Sequence, residues 1–255
     1  MAEINMIAGI ILAAGKGTRL KSKDKNKATL PFLNKPLIIY AVDLLTEIAD
    51  PMIVVVGAFY KSVEEVLKDY KITYTFQKKR LGTGHATKVG LEELTKLATS
   101  PEIVLVSYGD HCMFYSKKIV VNLISLHRKE NAVMSIITTH HEYPNSLAWG
   151  RVVRNRNGYI VDNIEQKDAT ADQLKIKEIN AGFYCFNYKF LKGYINKISK
   201  SAISGEYYIN SLIKIAADEG NKVAGLQVPF SGVGIGINRY DELEESQKLY
   251  LRNKT

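Results

Sequence analysis

The sequence predicts an α/β fold with a mainly parallel central sheet. Apolar runs of strand length alternate along the chain with stretches of helical periodicity, an order that is typical of parallel strands joined by helices. The first run, Met6–Leu12, is rich in β-branched residues and gives way at once to small residues and glycines. The length of 255 residues, with 46% hydrophobic and 24% charged residues, suits one large domain or one domain with a lobe.

The elements follow from local patterns in chain order. Apolar runs predict strands at 6–13, 52–57, 72–76, 103–107 and 132–139. Apolar residues at helical spacing predict helices at 36–49, 61–69, 84–98 and 117–129. After residue 150, the Asn157-Gly158 turn predicts a hairpin, which is followed by a strand, a helix, a strand and a helix. Their bounds are 151–154 and 159–166 for the hairpin, then 179–186, 206–219, 222–228 and 240–251.

The loop after the first strand carries the strongest functional signal. Small residues at 13–15 and Gly17 leave backbone N–H groups open to close approach by an anion. Lys16 and Arg19 add positive charge, and the fork of Arg19 suits phosphate oxygens. A dinucleotide-binding fingerprint would need a third glycine at Leu20, and the P-loop pattern is absent. The loop therefore predicts a polyphosphate or nucleotide site of another kind.

The segment after the third predicted strand is expected to recognise a base. Gln77 has a donor and an acceptor on one amide, which suits a pyrimidine edge. Gly82 and Gly84 allow close backbone approach, and Thr83 is expected to cap the next helix. We interpret His85 as a packing or hydrogen-bonding residue, since no nucleophile in the sequence needs it.

Asp110 is the candidate metal ligand. It follows the predicted strand at 103–107, so its carboxylate lies at the strand end opposite the glycine loop. Mg²⁺ prefers one or two carboxylates, waters and phosphate oxygens, so such a position suits it. The alternative is that Asp110 caps the following helix.

We expect a single domain over residues 1–255. Its parts are a nucleotide-binding half over about 1–140, a lobe for a second substrate over about 141–238, and a C-terminal helix over 239–255. Ligands of parallel sheets bind beyond the carboxyl ends of the strands. The loops after residues 12, 76 and 107 should therefore surround one crevice, capped by the chain from residue 150 onward.

Charge and composition narrow the partners. The net charge of +9 favours anions, but aromatic and basic residues do not interleave, so small anions are expected and nucleic acid is not. The longest apolar runs, Met6–Ala14 and Met52–Tyr60, are too short to cross a bilayer, and no membrane partner is expected. Cys112 and Cys185 lie far apart without metal-ligand spacing, which favours reduced thiols and a cytoplasmic location.

The motifs, taken in order, resemble the uridylyltransferase domain of bacterial GlmU-type enzymes, which are sugar-1-phosphate nucleotidyltransferases. The resemblance runs from about Ile7 to the last helix and is carried by L-A-A-G-K-G-T-R, Lys27, Gln77, G-T-G-H-A, Y-G-D, W-G-R, E-x-K-D-A, E-I-N-x-G, G-E-Y-Y and G-I-N-R. It implies a Rossmann-like, three-layer nucleotidyltransferase (GT-A-like) fold with a smaller, β-containing sugar-binding lobe. It also implies Mg²⁺-dependent synthesis of UDP-N-acetylglucosamine and pyrophosphate from UTP and N-acetylglucosamine 1-phosphate.

The resemblance implies a role for each matching position. The nucleotide would be bound by Leu12, Ala13, Gly15, Lys16, Gly17, Gln77, Gly82 and Thr83. The catalytic residues would be Arg19, Lys27 and Asp110, and the Mg²⁺ ligands would be Asp110 and Asn238. The sugar phosphate would be bound by Tyr108, Gly150, Glu165 and Asn180.

The implied reaction is an in-line attack of the sugar phosphate on the α-phosphorus of UTP. Such transfers need positioning and charge neutralisation rather than a covalent nucleophile, and the attacking phosphate is already anionic. Lys27 would stabilise charge on the α-phosphate, and Arg19 would stabilise the departing pyrophosphate.

Several positions depart from the family's usual pattern. Asn26 stands where a proline is usual, His111-Cys112-Met113 follows Asp110 where V-P-L is common, and Trp149 replaces a tyrosine. Leu30–Pro36 also resembles glucose-1-phosphate thymidylyltransferases. One alternative is therefore the same chemistry on another sugar 1-phosphate or with dTTP.

A second alternative is a non-catalytic regulatory subunit that binds nucleotide sugars. Such a subunit would be expected to lose Arg19, Lys27 or Asp110, and all three are present in the sequence. The sequence predicts no oligomeric state.

Overall fold

A nine-stranded sheet forms the centre of the computed structural model, which describes residues 6–15, 17, 24–97, 100–237 and 239–253. The strands are β1 (Ile7–Ala13), β2 (Pro31–Phe32), β3 (Lys35–Pro36), β4 (Met52–Val56), β5 (Thr73–Phe76), β6 (Ile103–Tyr108), β7 (Met134–His140), β8 (Arg151–Arg154), β9 (Ile160–Ile164), β10 (Glu178–Asn187) and β11 (Val223–Gln227). The helices are α1 (Leu37–Thr46), α2 (Tyr60–Val66), α3 (Thr83–Lys96), α4 (Lys117–Lys129), α5 (Tyr188–Tyr194), α6 (Ser211–Asp218) and α7 (Tyr240–Arg252). The short strands β2 and β3 pair with each other, apart from this sheet.

The main path of the sheet runs in the order β11-β7-β10-β6-β1-β4-β5. Neighbours on this path are parallel except where β10 pairs with β6 and β7. The predicted α/β fold with a mainly parallel sheet is therefore confirmed, with one antiparallel strand inside it. The predicted hairpin is also confirmed as β8 and β9, and it joins the sheet where Arg151 pairs with Ile179 of β10.

Helices cover both faces of the sheet, which explains why its central strands are apolar throughout. Every residue of β4, Met-Ile-Val-Val-Val, is buried. Successive side chains of β1 point to opposite faces of the sheet and so belong to two separate parts of the core. Ile11 and Ala13 pack with α1 and α4 on one face, whereas Ile10 and Leu12 pack with α3 and α6 on the other. These three layers agree with the predicted architecture.

One predicted helix starts later than expected, and one helix of the structure was not predicted. The helix predicted at 206–219 begins at Ser211, because the preceding backbone is already bonded elsewhere: Tyr207 pairs with Lys200 and with the chain at 81–84. The helix α5 was not predicted; it begins at Tyr188, directly after Asn187, whose side chain caps it by accepting the N–H of Phe190. None of the helices that the structure describes is long and apolar enough to cross a membrane.

Candidate active site

A cavity of about 670 Å³ lies at the carboxyl ends of β1, β5 and β6. The loops after these strands surround it as predicted, and the chain after residue 148 lines the opposite side. Every predicted site residue that the structure describes lines this cavity. These residues are Leu12, Ala13, Gly15, Gly17, Lys27, Gln77, Gly82, Thr83, Tyr108, Asp110, Gly150, Glu165 and Asn180. Lys16, Arg19 and Asn238, also predicted, lie outside the described residues.

Lys27 and Asp110 form an ion pair in the cavity wall. The Lys27 ammonium group also donates to the carbonyl oxygen of Ile237 at 2.7 Å. Their side chains are 18% and 17% exposed, so a ligand in the cavity can reach both charges. The alternative prediction that Asp110 caps the next helix is wrong, because Ser116 caps α4 with its side chain.

The glycine loop passes close to Lys27, and Gly17 makes this possible. Gly17 has a φ of +65°, and a Cβ atom there would lie 2.8 Å from the Cβ of Lys27. A larger residue would therefore be strained in its backbone and would displace the lysine.

Asn26 fixes the position of Lys27, although it was not predicted as a site residue. It is 1% exposed, and its amide nitrogen donates to the carbonyl oxygens of Ala13 (2.8 Å) and Ala58 (3.0 Å). Its Oδ1 accepts the N–H of Ala28 at 2.9 Å and caps the single helical turn that begins at Lys27. Asn26 thus connects the ends of β1 and β4 to this turn. The two carbonyl oxygens that accept from its amide lie 13 and 32 residues away along the chain, so no local sequence pattern could have indicated this role.

Gln77 is held in one orientation by two acceptors. Its amide nitrogen donates to the carbonyl oxygen of Gly82 (3.0 Å) and to Nδ1 of His85 (2.9 Å). The His85 ring must then carry its proton on Nε2. Burial lowers the pKa of His85, which favours this neutral ring. The interpretation of His85 as a hydrogen-bonding residue is confirmed, and the amide oxygen of Gln77 is the atom that can accept a bond from a ligand.

Gly82 and Thr83 begin α3, but Thr83 is not the cap that was predicted. Gly82 occupies the cap position with a φ of +98°, and a Cβ atom there would lie 2.5 Å from the Tyr207 carbonyl oxygen. Thr83 is the first helical residue, and its hydroxyl accepts the N–H of Ile209 at 3.1 Å. Its side chain therefore ties this loop to the segment before α6.

An irregularity in β10 shapes the opposite end of the cavity. The register with β7 shifts between Asn180 and Tyr184, around Gly182, whose N–H donates to Asn180 Oδ1 at 2.9 Å. Asn180 Nδ2 donates to the Tyr184 hydroxyl (3.3 Å), and the hydroxyls of Tyr184 and Tyr108 are 3.2 Å apart. Burial raises the pKa of both tyrosines, which stay neutral at neutral pH. Tyr184 belongs to no motif and was not predicted.

Arg151 holds the segment that carries Trp149 and Gly150. It is fully buried, and its guanidinium group donates to the carbonyl oxygens of Trp149 (2.5 Å) and Pro144 (3.0 Å). The Gly150 carbonyl oxygen in turn accepts the N–H of Asn180 at 2.9 Å. This part of the cavity wall is therefore fixed to β10.

Two of the departures from the family pattern meet in the cavity wall. The rings of His111 and Trp149 have centroids 4.8 Å apart, and both residues line the cavity. Burial lowers the pKa of His111 to about 4, so its ring is neutral at pH 7. The two residues that differ from the family pattern, His111 and Trp149, therefore form one continuous surface of the cavity wall.

The surroundings of Asp110 suit a hard divalent cation. Its partly exposed carboxylate and the nearby Ile237 carbonyl oxygen both contact the Lys27 ammonium group, so oxygen ligands already converge on a positive charge. Within the described ranges, no group of three His, Cys, Asp or Glu side chains is placed to hold a metal ion. A site with few protein ligands is the kind that Mg²⁺ uses beside substrate phosphates.

A three-layer α/β sheet with a polar cavity at its strand ends is the architecture of nucleotide-binding α/β proteins. The comparison with known families agrees with this class and makes it more specific. The chain belongs to the nucleotidyl transferase family, whose model matches residues 8–232.

The relatives at sequence level confirm the predicted resemblance. The bifunctional protein GlmU of Caldicellulosiruptor saccharolyticus is 35% identical over 246 residues, which cover 95% of this chain and 52% of that protein. GlmU of Clostridium acetobutylicum is 35% identical over 231 residues, which cover 90% and 49%. The chain therefore spans about half the length of these relatives.

Solved structures confirm the fold. A UDP-glucose pyrophosphorylase complexed with UDP-glucose has a TM-score of 0.76 at 20% identity, over 97% of this chain and 99% of that one. A Bacillus anthracis protein described as a glucose-1-phosphate thymidylyltransferase, in complex with sucrose, has a TM-score of 0.74 at 21% identity, over 95% and 94%. At such identities, the likeness concerns the fold alone.

Proposed function

We propose that the protein is a sugar-1-phosphate nucleotidyltransferase that makes UDP-N-acetylglucosamine and pyrophosphate from UTP and N-acetylglucosamine 1-phosphate. The observation that carries this proposal is that the nucleotide residues that the structure describes and the sugar residues of the sequence motifs line one and the same cavity. Lys27 and Asp110 line the same cavity. The similarity to GlmU proteins over nearly the whole chain supports the same activity.

Gln77 supports a uracil or thymine base. Both N–H groups of its amide are used by Gly82 and His85, so the amide oxygen is the atom available to a base. Uracil and thymine offer an N–H at ring position 3, whereas cytosine has an acceptor there. Binding of UTP or dTTP is therefore favoured over binding of CTP.

The reaction would be a direct transfer of the nucleotidyl group to the sugar phosphate. An oxygen of the sugar phosphate attacks the α-phosphorus of UTP, the bond from that phosphorus to the bridging oxygen breaks, and pyrophosphate leaves. Lys27 would neutralise charge on the α-phosphate and Arg19 charge on the pyrophosphate. The family's divalent metal, for which we propose Mg²⁺, would be held by Asp110 and Asn238 and would supply further charge neutralisation.

The sugar would lie at the opposite end of the cavity. Glu165 can accept hydrogen bonds from hydroxyl groups, while Tyr108, Gly150 and Asn180 line the same region. The surface formed by His111 and Trp149 would contact this substrate and influence which sugar is preferred. A cytoplasmic location goes with this proposal, because both cysteines are buried free thiols.

The alternative is the same chemistry on another sugar 1-phosphate or with dTTP. The cavity wall favours keeping this alternative, because His111 and Trp149, both departures from the family pattern, form one surface there. The second alternative, a non-catalytic subunit, would bind the nucleotide sugar without releasing pyrophosphate.

The experiment is a pyrophosphate-release measurement with Mg²⁺. UTP, dTTP and CTP are each combined with N-acetylglucosamine 1-phosphate, glucose 1-phosphate and N-acetylgalactosamine 1-phosphate. We expect the highest rate with UTP and N-acetylglucosamine 1-phosphate. A highest rate with another pair of substrates would show that the proposed substrates are wrong but that the proposed reaction is right. No release in any combination, from folded protein that binds nucleotide sugars, would favour the regulatory subunit.

A further inference from the structure

Glu165 lies in surroundings that disfavour its charge. It follows β9 and lines the sugar end of the cavity. Burial raises the pKa of this carboxyl group, whereas a hydrogen bond from Asn210 acts in the opposite direction and lowers it. A carboxylate that is partly buried and must accept bonds from a substrate needs a partner that stabilises its charged form.

Asn210 provides that partner. Its Nδ2 donates to Oε1 of Glu165 at 2.5 Å, and the residue is only 3% exposed. Asn210 directly precedes α6, a position where asparagine ordinarily accepts a backbone N–H of its own helix. Within the described chain, its side chain makes no such capping bond. The side chain is therefore directed to Glu165, across 45 residues of sequence, instead of to the adjacent helix.

The backbone around Asn210 is itself held in place. Tyr207 exchanges two backbone hydrogen bonds of 2.8 Å with the loop at 81–84. Ile209 donates its N–H to the Thr83 hydroxyl at 3.1 Å. Asn210 is thus anchored to the loop that begins α3, which gives its amide group a fixed direction toward Glu165.

We propose that Asn210 is a positioning residue that holds the Glu165 carboxylate in the orientation in which it accepts hydroxyl groups of the sugar phosphate. This inference rests on the proposed function, because it concerns the sugar end of the same cavity. One oxygen of Glu165 is fixed by Asn210, and the other is left for the substrate.

The first test is Asn210→Ala in steady-state kinetics. A hydrogen bond to a charged group is strong enough that its loss should raise the KM for the sugar phosphate about tenfold or more. The KM for the nucleotide should stay within about twofold, because the base and triphosphate residues are untouched. Equal changes in the two KM values would contradict a positioning role at the sugar.

The second test uses Asn210→Asp, which keeps the shape of the side chain. Two carboxyl groups at this separation share one proton, and the protonated introduced group can still donate to Glu165. At higher pH the shared proton is lost and the two groups repel each other. The ratio of the variant's sugar-phosphate KM to that of the wild type should therefore rise between about pH 6 and about pH 9. Titration of the substrate cancels in this ratio. A ratio that is constant with pH would overturn the proposal.

The matched control is Asn187→Ala. Asn187 caps α5 through its side chain and lies outside the cavity lining, so this variant loses an asparagine at a helix start without affecting Glu165. It should leave the sugar-phosphate KM unchanged. If Asn187→Ala raises this KM as much as Asn210→Ala does, the effect is one of stability and the inference fails. If the wild type has no transferase activity, the proposed function fails instead.

Discussion

Replacing Asn26 with alanine should destabilise the protein and slow the reaction together. The substitution removes hydrogen bonds of 2.8, 3.0 and 2.9 Å to Ala13, Ala58 and Ala28. Each buried hydrogen bond contributes about 1 kcal/mol net, so the free energy of unfolding should fall by about 3 kcal/mol. In a chain of this size, that loss lowers the Tm by roughly 6–12 °C. Because Lys27 follows Asn26 directly, kcat should fall as well.

Urea denaturation followed by circular dichroism measures the loss of stability. The matched control is Asn253→Ala, which removes one exposed bond to the Ser231 carbonyl oxygen and should cost less than about 1 kcal/mol. If Asn26→Ala loses no more stability than this control, the three bonds do not fix the turn. If it loses stability but keeps full kcat, the turn does not position Lys27.

Three further predictions concern the site and the core. Gln77→Ala should raise the KM for UTP about tenfold and leave the sugar-phosphate KM unchanged; an equal rise in both would contradict the assignment of Gln77 to the base. Asp110→Asn should lower kcat by on the order of 10²–10³ while the protein stays folded, and near-normal Mg²⁺-dependent turnover would refute its role. Burial lowers the pKa of His127 from 6.5 to about 4, so the unfolded chain binds a proton in this range that the folded protein does not. The free energy of unfolding should therefore fall as pH decreases from about 6.5 to about 4. In His127→Gln this fall should be smaller by up to about 3 kcal/mol, as measured by denaturation at several pH values. If stability depends on pH equally in the wild type and in His127→Gln, then His127 is not the cause of this dependence.

The elements and the cavity could be predicted because their signals are local. The apolar run of β1 and the glycines after it lie in one stretch of chain, and parallel strands bring their carboxyl ends to one edge of the sheet. The order of strands and helices is therefore enough to predict that Ala13, Gly15 and Asp110 lie near each other. The motif resemblance added the proposed sugar end, where Glu165 and Asn180 carry no strong signal individually.

What could not be predicted depends on contacts between distant parts of the chain. The start of α6 lies at Ser211 because Tyr207 is bonded to the loop at 81–84, and local periodicity does not report such a bond. The role of Asn26 depends on carbonyl groups that only the folded backbone brings to it. Thr83 has the residue type of a helix cap, but its hydroxyl accepts a bond from Ile209 instead.

The most direct test of the proposed activity compares two sugar phosphates at fixed UTP and Mg²⁺. We would measure kcat/KM for N-acetylglucosamine 1-phosphate and for glucose 1-phosphate, and identify the product by mass spectrometry. We expect N-acetylglucosamine 1-phosphate to be preferred by at least about tenfold, a difference of about 1.4 kcal/mol in transition-state binding, and the product to be UDP-N-acetylglucosamine. A preference for glucose 1-phosphate, or turnover of neither, would contradict it.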